Sequence, residues 1–213
     1  MGTNPWPLIH AERNALVGDL VSLNNDQWAT PSLCDGWTVR DVFGHLTATA
    51  KLTPAKFLVA FAGSGFRFND MAAKLAAAET AVSPADGLAE FRAHLTATIH
   101  PPGPAEAMLG EAVIHGEDIR RPLGITRNYP QEAVTRAADF FKGSNLLIGT
   151  KNRIAGLSLR ATDAGWSTGT GPEVAGPVLS LLLVMTGRAA ALDDLSGDGV
   201  AVLRERMRPG ERP

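Results

Sequence analysis

Between Glu111 and Gly124 the chain reads EAVIHGEDIRRPLG, which sets a glutamate, a histidine and an aspartate at steps of four and three. These side chains ligate metals or move protons, and their steps return to one face of an α-helix. At about 100° per residue, with Glu111 at zero, His115 falls at about 40° and Asp118 at about −20°. Glu106, Glu117, Arg120 and Arg121 fall at roughly 180° to 280° and are expected to face solvent, so the Glu/His/Asp stripe should point inward. Met108 and Ile119 flank the stripe on one side, Ala107 and Ile114 on the other.

A second segment repeats the arrangement. With His45 at zero, Val42, Thr49 and Leu52 lie within about 60° of the histidine, and Arg40, Thr47 and Lys51 at roughly 200° to 240°. A carboxylate and two imidazoles aimed at one interior need partners, and a divalent metal would satisfy all three together. The competing reading is a hydrogen-bonded core histidine beside an ordinary Glu-x-x-x-His helix pair. On a tetrahedral metal three protein ligands leave one position open, the arrangement of a catalytic site.

Apolar spacing of about 3.6 residues between Pro, Gly and Asn punctuation predicts helices at about 7–23, 38–61, 70–81, 84–99, 104–121 and 130–147. Thr38 followed by Asp41 marks the second start as a capping box. Past about residue 150, LSLRATDAGWSTGTG alternates around an Asp-Ala-Gly turn as a β-hairpin would, and helices follow at about 175–191 and 197–207 before the polar tail RPGERP. The fold class expected is mainly α: a helical bundle over 1–150, then a small α+β domain over 151–213. The apolar run Val178–Met185 is too short to cross a bilayer and reads as a buried helix.

Composition narrows the partners. The 213 residues carry 20 basic and 22 acidic side chains, a net charge of −2, with no basic stripe for a nucleic acid backbone. The lone cysteine, Cys34, gives no internal disulfide and is expected to be packed and inert. With neither an export signal nor a membrane span in view, the expectation is a cytoplasmic protein, monomer or homodimer, acting on a small molecule.

The blocks WATPSLCDGWTVRDVFGHL, EAVIHGEDIRRPLG, ATDAGW, GTGPEVAGP and GRAAALDDLSGDG together resemble the mycothiol-dependent maleylpyruvate isomerase-like family of the DinB superfamily. The resemblance implies an up-down four-helix bundle with extra helices that binds a divalent metal, zinc with nickel as the alternative, through His45, Glu111 and His115. Asp118 then takes a supporting role, hydrogen-bonding a ligand or an arginine, with direct ligation of the metal as the lesser alternative. Mycothiol, a low-molecular-weight thiol, is the implied cosubstrate: its thiolate adds to a conjugated double bond, the resulting single bond rotates, and elimination gives the trans product. Relatives transfer such thiols to electrophiles. Arg188 is a candidate clamp for a substrate carboxylate, Trp37 and Trp166 are candidate pocket walls, and Arg120 and Arg121 are expected in cap or surface interactions. Two other functions stay open on the same residues: a metal-dependent hydrolase that uses no thiol, and a binding module without chemistry.

Overall fold

The computed structural model describes residues 4–145 and 148–208. The chain divides into two units, Met1–Arg127 and Asn128–Pro213. The first is helical: α1 Trp6–Leu20, α2 Asn25–Trp28, α3 Val39–Ala50, α4 Pro54–Gly63, α5 Phe68–Glu79, α6 Pro84–Ala93 and α7 Glu106–Arg120. Helices α1 and α3 each pack against both α6 and α7, which closes a four-helix bundle, while α4 and α5 form an excursion that returns α5 onto α3. The bundle core is built from Leu16, Val17, Leu20, Val42, Phe43, Leu46, Phe91 and Ile119, with Trp28 of α2 beneath it.

Helix α3 begins where its sequence says. Thr38 Oγ1 accepts from the Asp41 amide at 3.2 Å, and the Asp41 carboxylate accepts from the Thr38 amide at 2.9 Å. It ends earlier than the expected 61, because Thr53 caps a new helix by accepting from the Lys56 amide, and Pro54 cannot continue the old one. Gly44 sits where α5 crosses: a Cβ there would come within 2.7 Å of Thr80 Cγ2 and 2.8 Å of the Ala76 carbonyl oxygen. Only a residue without a side chain permits that approach, and the next residue, His45, is presented to the bundle's interior.

The second unit holds α8 Gln131–Phe141, α9 Thr150–Arg153, strands β1 Ser158–Ala161, β2 Ser167–Gly169 and β3 Glu173–Gly176, then α10 Val178–Met185, a 3₁₀ helix at Ala189–Asp194 and α11 Gly199–Arg206. The expected hairpin forms as antiparallel β1–β2, with Leu159 opposite Thr168. Beyond expectation, β3 adds to the other edge of β1 in parallel, giving the order β2-β1-β3. Helix α10 is the apolar run, every residue buried except Leu179. It packs against α8, β1, β3 and the 3₁₀ helix.

Because α8 packs on α10, the units part at 127/128 rather than at the expected 150/151. The expected helix 130–147 ends at Phe141, and its last two positions, 146 and 147, lie outside the described residues, as does most of the tail. The helix expected at 175–191 stops at Met185, where Gly187 adopts a φ of 99°. Among the described residues no helix is long and apolar enough to cross a membrane.

Candidate metal centre

Helices α3 and α7 bring His45, Glu111 and His115 together. His45 Nε2 lies 3.0 Å from Glu111 Oε2, and His115 Nε2 lies 3.6 Å from the same oxygen. One ligand atom from each residue falls within 4.8 Å of the others. The two imidazoles meet edge to face, centroids 4.9 Å apart, and the Trp37 ring covers His45 from 5.5 Å. The side chains are 12 %, 29 % and 15 % exposed, so Glu111 has the most open approach from solvent.

Asp118, wholly buried, sits behind His115. Its Oδ2 lies 2.7 Å from His115 Nδ1 and also accepts from Cys34 Sγ at 3.1 Å. With Asp118 ionised, Nδ1 carries the proton, which fixes the ring and leaves Nε2 facing Glu111. The loop before α3 is tied to this point: the Leu33 amide donates to the Asp118 carbonyl, and Ser32 Oγ donates to the Trp37 carbonyl. Cys34 is therefore more than packing, since its thiol reaches a carboxylate 84 positions away.

Electrostatics bind the set together. Burial pulls the His115 imidazolium down, but the Glu111 charge, the hydrogen bond its Nδ1–H donates to Asp118 and the contact with the Cys34 sulfur outweigh it and hold the group up to about 10. A negative environment that favours a proton on His115 also favours a divalent cation in the proton's place.

Among the described residues two overlapping groups have ligand atoms close enough for an ion: His45, Glu111 and His115, and Cys34, His115 and Asp118. They use opposite nitrogens of His115. In the second group Asp118 has no exposure, so an ion there would have no open side at that carboxylate. The first group has a neutral-nitrogen and carboxylate donor set suited to zinc, an orienting carboxylate behind one histidine, and an open side. It is the better fit.

Other sequence expectations fare differently. Glu117 and Arg120, expected in solvent, are 4 % and 0 % exposed, because α7 packs against both α1 and α3 and so has two covered faces. Arg121 Nε donates to Glu117 at 3.0 Å, and Arg120 Nε to Asp19 at 2.7 Å. Thr47, placed opposite His45, is also buried, its hydroxyl donating back to the Phe43 carbonyl. Trp166 and Arg188 belong to the second unit, where Trp166 Nε1 donates to Asp139 and Arg188 Nη1 donates to the Thr186 carbonyl at 2.7 Å.

The sequence reading passed over Arg13. This arginine of α1 is 5 % exposed and lines a cleft with Glu111, Leu46, Thr49 and Phe91. A signal was present: Arg13 is four residues after Ile9 and four before Val17, both buried, so it shares their face.

Residues 9–65, which include His45, match the family model described as the mycothiol maleylpyruvate isomerase N-terminal domain. The fold is shared with the crystal structure of the mycothiol-dependent maleylpyruvate isomerase, at 15 % identity over 91 % of this chain and 91 % of that one, with a TM-score of 0.63. A histidine-to-alanine mutant of that isomerase matches over the same extents with a TM-score of 0.62. No curated protein matches the chain.

Proposed function

From a segment of the maleylpyruvate isomerase N-terminal family on the fold of that isomerase, we propose that the chain is a thiol-dependent enzyme of isomerase or S-transfer type. Its substrate is a small electrophile, its thiol is of the mycothiol kind, and it works with a divalent cation, zinc before nickel. The observation that carries the proposal is the convergence of His45, Glu111 and His115 at the open end of a buried polar stripe.

A cation bound there would favour the deprotonated form of a thiol brought to its remaining position at neutral pH. The chain's own residues do the rest. Asp118 keeps the His115 proton on Nδ1, so that Nε2 remains a ligand atom. Cys34 steadies the Asp118 carboxylate, and the Trp37 ring limits how far His45 can turn. Glu111 would supply the negative charge, and the two imidazoles the neutral nitrogens, with which the chain holds a cation.

The test is turnover of an activated double-bond substrate with and without mycothiol, using protein that carries no histidine tag. Thiol-dependent turnover is expected in the wild type and absent in His45→Ala. Turnover that ignores the thiol would point to hydrolysis instead, and equal turnover in His45→Ala would remove the site from the reaction.

A further inference from the structure

Neither the three candidate ligands nor the bundle's ion pairs account for the guanidinium of Arg13. Both of its hydrogen bonds leave from Nη1, to the carbonyl oxygens of Ala97 at 3.0 Å and His94 at 3.4 Å. Its Nε–H and Nη2–H donate to nothing among the described residues. These nitrogens are not sealed away as His10 Nε2 and Thr150 Oγ1 are. Together they form the side-on edge of the guanidinium, two parallel donors spaced for the two oxygens of a carboxylate.

The charges around this edge leave it without a direct counter-ion. Glu12, the adjacent acid, has both oxygens on Arg127, at 3.1 and 3.0 Å. Glu111 acts on Arg13 through space, but its Oε2 is engaged with His45. Burial is the larger influence and holds the Arg13 guanidinium down to about 10. A charged residue that is 5 % exposed and lacks a direct anion is costly, and the cost falls when an anion enters the cleft. A purely structural role, tying α1 to the segment after α6 through Nη1 and laying the guanidinium over the Trp6 ring at 6.0 Å, would still leave the Nε–Nη2 edge without an acceptor.

We propose that Arg13 is an anion-binding residue of the cleft beside the candidate metal centre, its Nε–Nη2 edge receiving a carboxylate of the small electrophilic substrate. The identity of that substrate rests on the proposed function, whereas the donor edge does not. Arg13 would then set which end of the substrate faces Glu111 and the two histidines, excluding neutral analogues that leave the edge unpaired.

The experiment titrates malonate, a small thiol-free dicarboxylate, into wild type, Arg13→Gln and Arg13→Lys by calorimetry, with zinc affinity measured in the same preparations. Wild type is expected to bind malonate, Arg13→Gln to bind it at least about tenfold more weakly, and Arg13→Lys to recover only part of the loss, with zinc affinity changed by no more than about twofold. Should Arg13→Gln fail to fold, the Arg13 Nε–Hε resonance of arginine-labelled wild type is followed instead, and a malonate-dependent shift is expected. Absence of malonate binding and of the shift, or equal affinity in Arg13→Gln, overturns the proposal. So does full recovery in Arg13→Lys, which would need only a charge. Malonate binding by a wild type that takes no zinc would sink the metal-dependent function and leave Arg13 standing; thiol-dependent turnover without malonate binding would do the reverse.

Discussion

The two units bury different things. Among the described residues, the charged side chains with less than a tenth of their surface exposed are Glu12, Arg13, Glu117, Asp118 and Arg120, all on α1 or α7 of the bundle. The second unit closes around α10, and among its described residues the buried polar side chains are Thr150, Ser180 and Thr186. An apolar helix needs nothing more than neighbours, and α10 has α8, two strands and the 3₁₀ helix. Buried charges need partners placed to a fraction of an ångström: Glu12 has Arg127, Glu117 has Arg121, Arg120 has Asp19 and Asp118 has His115. Hydrophobic residues of similar volume would stabilise the bundle about as well. Apolar burial accounts for the interior of the second unit, whereas in the first the buried Asp118 charge sits directly behind the candidate site, on His115.

Substitutions can separate the two kinds of interior. The largest expected effect on stability is in the second unit: Leu182→Ala removes a fully buried side chain and should cost about 3 kcal/mol by chemical denaturation, with zinc affinity unchanged. Next comes Asp118→Asn, which keeps the shape but loses the charge orienting His115. Zinc affinity should fall about 10- to 100-fold by calorimetry, and an unchanged affinity would reduce Asp118 to packing. Cys34→Ala removes one donor from the same carboxylate and should cost about 1 kcal/mol in thermal unfolding, with a smaller drop in zinc affinity than Asp118→Asn.

The smallest effect is on the bundle's surface. The hydrogen bond and charge of Lys51 hold the Glu90 carboxyl below its ordinary range. A carboxylate depressed in the folded state contributes stability above its unfolded pKa of about 4.3, and that contribution is lost as pH falls through the lower folded value. Melting curves of wild type and Glu90→Gln should therefore differ slightly at neutral pH and converge in acid.

What could be read in advance was local. The Thr38/Asp41 box, the inward turn of Glu111 and His115 and the burial of Val178–Met185 all follow from spacing along one helix. What escaped depended on neighbours. A helical wheel assumes one packed face, so it sent Glu117 and Arg120 to solvent although α7 lies between α1 and α3. It cannot see a loop cysteine reaching Asp118, nor tell that the amphipathic α8 packs on α10. The interruption at Thr53-Pro54 was visible, but a proline kinks one helix or starts another, and the Thr53 cap decides which.

The most direct test of the central claim is a zinc titration of protein without a histidine tag, comparing wild type with His45→Ala. The account predicts one tightly bound equivalent in wild type and none in the variant, which would retain a wild-type melting profile when metal-free. Wild type that takes up no zinc, or a His45→Ala variant that binds it equally well, would contradict the account.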